Sequence, residues 1–264
     1  MPTWRLKLEY DGAAFSGWQF QPEGRTVQRE LETALSRLFG GEAIRVNAAG
    51  RTDAGVHALG QVVSFRSVGE RPPDGIRMAL NGMLPWDISC VAADRVADSF
   101  HARMSATGKR YRYVVLHRRD RAALQRDRCY HIRWPLDWAL IEEGLRLYLG
   151  THNFSAFRGP SCEARNPVRT ISRAEHLNPS PDEHWIEVEG PGFLRHQVRI
   201  MVGTVLEVGE GKRSLDALKS ALTATDRSAA GRTAPPGGLS LVEVYYPPDA
   251  GLVPPSPESE PSSD

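Results

Sequence analysis

The sequence lacks any run of about 18 or more apolar residues, the length that a membrane-spanning helix requires. Its first residues, from Met1 to Arg5, lead directly into an alternating strand pattern and do not resemble a signal peptide. With 264 residues, of which 41% are hydrophobic and 25% charged, the composition is typical of a globular protein with one large or two small domains. We therefore expect a cytoplasmic protein that does not bind a membrane.

Cysteine is scarce, and the histidines are scattered. The three cysteines, Cys90, Cys129 and Cys162, lie far apart, which argues against a disulfide framework and against a cysteine-based metal site. The eight histidines include no pair at the i, i+4 spacing of a helical zinc motif. The sequence therefore predicts no bound metal.

Lysine is also scarce, because the 33 basic residues comprise four lysines and 29 arginines. Arginine binds phosphate in a bidentate manner and stacks on bases, so the excess is compatible with RNA binding. The region from His101 to Arg133 is the richest, and tyrosines lie between its arginines. A biased genome composition or a solvated arginine face would explain the same pattern, and a net charge of +1 is a weak guide to partners.

The first part of the chain has the pattern of an α+β fold. Trp4, Leu6, Leu8 and Tyr10 alternate with polar residues, which predicts a half-buried strand that ends at Asp11-Gly12. Thr26 is placed to cap a helix whose apolar residues follow a 3.6-residue period until Gly40-Gly41. Apolar residues on both sides of a glycine-rich loop then predict two more strands. The order β, α, β, β indicates a sheet covered by helices on one side.

A second series of elements begins near Lys109. We expect strands at 109–115, 171–177, 185–189 and 239–246, and helices at 135–149, 193–208 and 214–223. The predicted fold is two similar α+β halves, residues 1–106 and 107–246, with mainly antiparallel sheets covered by helices and an active-site cleft between them. Residues 247–264 are rich in Pro, Ser and Glu and predict a disordered tail.

The loop from Ala48 to His57 is the strongest candidate for a functional site. Gly50 and Gly55 bracket Asp53 and leave space beside it for a ligand. Taken alone, Asp53 is more readily explained as a turn residue, since aspartate closes many turns. A cation at Arg51 would keep the Asp53 carboxylate ionised, and an ionised carboxylate can act as a nucleophile or a base.

Further segments along the chain place aromatic and basic residues beside glycines. They are Tyr10-Asp11-Gly12 with Phe15–Gln19, Phe100–Arg103 with Ser105–Tyr113, Phe154–Phe157, Arg169–Ile171, Phe193–Arg199 and Gly238–Val242. Together with the Asp53 loop, and in this order, they resemble the A-type tRNA pseudouridine synthases, the TruA family. The resemblance extends to about Pro247, and residues 50–57 are its most specific part.

This resemblance implies the roles of several residues. Asp53 is implied to be the catalytic aspartate, Arg199 the arginine that pairs with it, and Tyr111 the tyrosine that stacks on the target uracil. Arg51 is expected to contact the flipped nucleotide or its phosphate, and Leu239 or Leu241 to line the uracil pocket. Without the resemblance, Arg199 would be interpreted as a residue on the surface of a helix. Tyr111, Leu239 and Leu241 would be interpreted as core residues of strands.

The resemblance also implies a reaction without a cofactor on uridines 38 to 40 of tRNA, in the anticodon arm, by a homodimer that holds one tRNA. Arginines of the region 101–133, together with Arg25, Arg165 and Arg169, are candidate phosphate contacts. Two alternatives are an RNA-binding protein without catalysis and a hydrolase that uses Asp53. A hydrolase needs a metal or a base beside Asp53, and the sequence offers no ligand cluster. His57 is expected to be structural.

Overall fold

The computed structural model describes residues 1–248 and 250. The tail predicted at 247–264 therefore lies largely outside the described residues. Among those described, every helix is too short or too polar to cross a membrane.

Strands and helices of the described chain are interspersed along its whole length. The strands are β1 Thr3–Tyr10, β2 Asn47–Ala48, β3 His57–Arg66, β4 Ile88–Val96, β5 Gly108–His117, β6 Tyr130–Ile132, β7 Gly150–Asn153, β8 Val168–Ile171, β9 Arg173–Ser180, β10 Glu183–Gly190 and β11 Leu239–Tyr245. The helices are α1 Val27–Leu38, α2 Pro73–Met83, α3 Trp138–Leu147, α4 Gln197–Gly209 and α5 Leu215–Ala221.

Within residues 1–248 and 250, nine of these strands form one sheet. Its main order is β4-β1-β3-β11-β5-β10-β9, with β2 beside β3 and β6 beside β5. Neighbours are antiparallel, apart from the parallel pairs β11–β3 and β5–β6. The predicted α+β class with a mainly antiparallel sheet is confirmed. Strand β11 lies between β3 and β5 and joins the sheets of the two halves, whereas the division at residues 106 and 107 stays a prediction.

One face of the sheet forms the hydrophobic core. In β1, the alternating side chains of Trp4, Leu6 and Leu8 are buried, and Leu31 and Leu35 of α1 belong to the same cluster. The capping of α1 by Thr26 follows the sequence pattern, since its hydroxyl accepts a hydrogen bond from the backbone N–H of Arg29. Burial of these apolar side chains is the main force that holds the helices on the sheet.

The opposite face of β5 and β10 carries a network of arginines and glutamates. The guanidinium of Arg112 lies 2.7 Å from the Glu187 carboxylate and stacks on the Trp185 ring at 3.7 Å. Arg110 pairs with Glu243 at 2.7 Å. Because side chains alternate along a strand, Arg110 and Arg112 point away from the face that Tyr111 occupies. These two arginines are therefore engaged within the protein, which makes them weaker candidates for phosphate contacts than exposed arginines without a partner.

Several element boundaries differ from the sequence-based prediction. Helix α2 and strand β4 were not predicted, because α2 begins at a Pro-Pro pair and contains two glycines, and β4 does not alternate regularly. Helix α3 starts at Trp138, after the cap residue Asp137, and not at Pro135. The strand predicted before the Asp53 loop is reduced to the two residues of β2.

Candidate active site

The Asp53 loop connects β2 to β3 and is fixed by a second loop that follows β1. The Trp18 N–H donates to the Thr52 carbonyl at 3.0 Å, and the Gly55 N–H donates to the Phe15 carbonyl at 3.3 Å. Gly55 has a φ of +76°, a conformation that favours glycine. The carboxylate is thus carried by a turn whose backbone is hydrogen-bonded to the neighbouring loop.

A buried polar group supports this turn from below. The hydroxyls of Tyr10 and Thr52 are hydrogen-bonded at 2.8 Å, and the Gln61 amide donates to the Gly50 carbonyl at 2.7 Å. Gln61 is fully buried in β3, and burial raises the pKa of Tyr10 to about 12. These neutral side chains fix the loop on the sheet without placing a second charge beside Asp53.

The carboxylate of Asp53 faces Arg199 of α4. The Arg199 Nη1 lies 3.3 Å from Asp53 Oδ2, and the side chains are 13% and 23% exposed. A second nitrogen of the guanidinium, Nε, donates to the Ala234 carbonyl at 2.8 Å, which holds the group in place. The guanidinium therefore places a fixed positive charge directly beside the carboxylate.

His196 lies on the other side of the carboxylate and was not predicted as a site residue. Its Nε2 is 3.6 Å from Asp53 Oδ1. Burial lowers the pKa of His196, and the attraction of Asp53 only partly offsets this effect, so the ring is neutral at pH 7. The residue has a left-handed backbone with φ of 61° and directly precedes α4. The helix predicted from Phe193 therefore starts only at Gln197.

Tyr111 lies on β5 beside the loop. Its side chain is buried, and the ring of Phe193 packs edge-on against it with ring centres 5.2 Å apart. Burial raises the pKa of Tyr111 far above its usual value, and the negative charge of Asp53 acts in the same direction. The phenol is therefore protonated at neutral pH. Phe193 belongs to a segment noted in the sequence, although no role was predicted for it.

The two leucines occupy the same face as Tyr111. Leu241 of β11 is opposite Tyr111 in the sheet register, Leu239 is opposite Tyr113, and both leucines are buried. Opposite residues of an antiparallel pair lie on one face of a sheet. The residues Asp53, Arg199, Tyr111 and Leu241 therefore come from both predicted halves of the chain and meet where these halves join.

Arg51 is placed differently from the other predicted residues. Its side chain is exposed, and among the described residues no ion pair within 4.0 Å joins it to Asp53. The expectation that Arg51 keeps Asp53 ionised is therefore wrong, since Arg199 occupies that position. An exposed guanidinium beside the carboxylate loop is accessible to a large ligand.

His57 is held by the backbone around it. Its Nδ1 accepts a hydrogen bond from the Gly12 N–H at 3.0 Å, which leaves Nε2 to donate to the carbonyls of Asp127 at 2.9 Å and Gly237 at 3.1 Å. These contacts agree with a structural residue that connects three segments. Over the part of the chain that the structure describes, no group of three or more His, Cys, Asp or Glu is arranged to hold a metal ion.

Comparison with known proteins identifies the family. The profile described as "tRNA pseudouridine synthase" matches residues 8–104 and 145–247, which include Asp53, Arg199 and both leucines. The chain belongs to this family. It is similar to proteins named tRNA pseudouridine synthase A in three bacteria. It is 47% identical to that of Geobacillus sp. (strain WCH70), over 92% of this chain and 97% of the relative. It is 44% identical to that of Myxococcus xanthus, over 93% of this chain and 92% of the relative, and 45% identical to that of Acidiphilium cryptum (strain JF-5), over 93% of this chain and 97% of the relative.

Proposed function

We propose that the chain isomerises uridine to pseudouridine in tRNA and that Asp53 is the catalytic carboxylate. The observation that carries the proposal is the Asp53–Arg199 ion pair at 3.3 Å, in a chain that matches the tRNA pseudouridine synthase family over most of its length. Isomerisation breaks the N1–C1′ bond, turns the uracil and forms a C5–C1′ bond. The proton of C5 is lost and N1 gains one, so no oxidant or reductant is consumed.

An ionised carboxylate suits each route to this product. Asp53 would attack C1′ of the ribose or C6 of the uracil to give a transient adduct, or it would assist loss of the uracil by elimination. All three routes require a negative charge next to the reacting nucleotide. Arg199 supplies the positive charge that maintains it, and its bond to the Ala234 carbonyl keeps it oriented.

The uracil site is best assigned to the apolar surface beside Asp53. Tyr111 would stack on the uracil, and Leu239 or Leu241 would form the wall of the pocket. The edge-on contact of Phe193 supports this role because it fixes the plane of the Tyr111 ring. The protonated phenol would have to lose its proton before it could accept the proton of C5.

Contacts with the RNA backbone are assigned to cations without an internal partner. A uridine paired in a stem has to leave the stack before it reaches Asp53, at a cost of a few kcal/mol. The exposed Arg51 is proposed to hold the flipped nucleotide or its phosphate. Arg25 is a poor candidate, because it already pairs with Asp87 and Glu30 at 2.5 Å and 2.9 Å.

Family resemblance supports three finer proposals. The modified positions would be uridines 38 to 40 in the anticodon arm, the active species would be a homodimer that holds one tRNA, and the location would be the cytoplasm. We also predict that the reaction requires neither a metal nor a cofactor. Mapping pseudouridines in tRNA treated with the protein tests the positions, and sedimentation with and without tRNA tests the dimer.

The test of the reaction is the release of tritium from tRNA that carries uridine labelled at C5. The wild-type protein is expected to release it, and Asp53→Asn to release none above background. Asp74→Asn, at an exposed site on α2, is the matched control and should retain the wild-type rate. Absence of release by the wild type would contradict the synthase proposal, and full release by Asp53→Asn would contradict the assignment of Asp53.

A further inference from the structure

Lys109 reaches the Asp53 loop from β5. It lies two residues before Tyr111, so both side chains occupy the same face of the strand. A Cβ atom placed on Gly50 would lie 3.4 Å from Cε of Lys109 and 3.6 Å from the Tyr111 hydroxyl oxygen. The end of the lysine side chain therefore lies in the space that glycine leaves open at position 50, next to the phenol.

The ammonium of Lys109 has no counter-ion in the described part of the protein. Only 9% of the residue is exposed, and no carboxylate among residues 1–248 and 250 lies within 4.0 Å of its ammonium. Burial lowers the pKa of Lys109, and repulsion from Arg103 acts in the same direction. Both effects disfavour the charged ammonium, and no neighbouring group among the described residues offsets them.

Two other cations of the protein do have carboxylate partners. Arg110, the next residue along β5, pairs with Glu243 at 2.7 Å on the opposite face. Lys212 is exposed and still lies 2.8 Å from Glu210. A nearly buried lysine without a partner is costly to the fold, and a cation of this kind is commonly kept where a ligand supplies the anion.

We propose that Lys109 binds a phosphodiester oxygen next to the nucleotide that is flipped toward Asp53. This inference rests on the proposed function, since phosphates are the anionic groups that tRNA would bring to the site. The ammonium is a compact charge suited to one phosphate oxygen, and the nearby Arg103 adds positive potential for the same anion. Lys109 would thereby set how far the ribose enters the site.

Binding of unmodified tRNA, measured by fluorescence anisotropy between 50 and 200 mM salt, tests the proposal. All variants carry Asp53→Asn, so that the tRNA is not converted during the titration. Lys109→Met is expected to bind about tenfold more weakly, and the slope of log Kd against log salt should fall by about one. Lys109→Arg should keep most of the affinity, and Lys219→Met, at an exposed site on α5, should keep both affinity and slope.

Thermal unfolding separates this role from a structural one. Removal of an unpaired buried charge should leave Tm unchanged or raise it, whereas a structural lysine would give a lower Tm. An unchanged salt slope in Lys109→Met, at any Tm, would overturn the proposal. Tritium release by the wild type is measured in parallel. If tritium is released and the salt slope of Lys109→Met is unchanged, only the Lys109 proposal fails. If no tritium is released, the synthase proposal fails, and the salt slope still decides whether Lys109 contacts phosphate.

Discussion

The two faces of strand β5 differ in how their charges are balanced. On one face, Arg110 and Arg112 are paired with the glutamates of β10 and β11. On the other, Lys109 has no counter-ion within 4.0 Å among the described residues, and Tyr111 lies beside it and the Asp53 loop. The first face satisfies its own charges and stabilises the sheet. The second face leaves Lys109 without a counter-ion among the described residues, and on our proposal a phosphate of the substrate supplies that charge.

This difference explains why arginine content alone is a poor guide to the RNA surface. The region 101–133 is rich in arginine, yet its strand residues Arg110 and Arg112 belong to the ion-pair network. Along one strand, alternation separates a structural charge from a functional one by a single residue. Substitutions on the two faces should therefore affect different measurements.

The largest expected effect is that of Arg199→Met on the reaction. Loss of the cation next to Asp53 should reduce the rate of tritium release at saturating tRNA by about 100-fold or more, because the charge that stabilises the carboxylate is absent. Arg199→Lys should recover only part of this rate, since lysine lacks the second nitrogen that bonds to the Ala234 carbonyl. Arg37→Met, at an exposed site on α1, is the control, and equal rates for Arg199→Met and this control would refute the role.

Glu187→Gln tests the opposite face. Glu187 is 1% exposed and lies 2.7 Å from Arg112, with Arg173 at 3.5 Å. Loss of its charge leaves Arg112 without a carboxylate partner among the described residues, whereas Arg173 keeps Glu175 and Glu189. The substitution should lower the free energy of unfolding by about 3 kcal/mol, as measured by urea denaturation. Glu243→Gln breaks the more exposed pair with Arg110 and should cost less than about 1 kcal/mol. Similar losses in the two variants would show that burial does not decide the strength of this network.

A histidine cluster at the edge of the sheet predicts a smaller, pH-dependent effect. His184 of β10 stacks on Trp138 at 3.8 Å, and its Nδ1 lies 2.9 Å from Nε2 of His176. Burial lowers the pKa of His184 to about 4, repulsion from His176 and His117 adds to the shift, and Asp182 opposes it. The unfolded chain, with a histidine pKa of about 6.5, therefore binds a proton at a pH where the folded chain does not.

The stabilising contribution of neutral His184 is complete above pH 6.5 and is lost as the pH falls toward 4. Wild-type protein should lose on the order of 2 kcal/mol of unfolding free energy across this interval through His184. In His184→Gln, the pH dependence of the unfolding free energy should be flatter by this amount, whereas His152→Gln, outside the cluster, should follow the wild type. Parallel curves for His184→Gln and the wild type would contradict the assignment.

Local patterns in the sequence were sufficient for most of the fold. Strict alternation identified β1 and β5, and a capped helical period identified α1. Helix α2 could not be predicted, because only Ile76 and Leu80 of this helix are buried and its glycines weaken the periodic signal. The insertion of β11 between β3 and β5 depends on pairing across nearly the whole chain, which local patterns do not encode.

The motifs of the candidate site and the pairing of Arg199 with Asp53 were predicted through the resemblance, but the contacts of His196 and Lys109 were not. Resemblance indicated Asp53, Tyr111 and Arg199, but the residues alone favoured Arg51 as the partner of the carboxylate. His196 is adjacent to the predicted motif, and its role depends on a left-handed turn that brings the ring to Asp53. Lys109 was visible as one of only four lysines, although its lack of a counter-ion is a property of the folded chain.

The most direct test of this account measures tritium release and Tm for Asp53→Asn and Glu187→Gln in one experiment, at a temperature at which both variants are folded. We predict that Asp53→Asn loses tritium release entirely at a temperature where it is folded, whereas Glu187→Gln loses several degrees of Tm and releases tritium at the wild-type rate. Release by Asp53→Asn at the wild-type rate would contradict the central claim that this carboxylate performs the reaction.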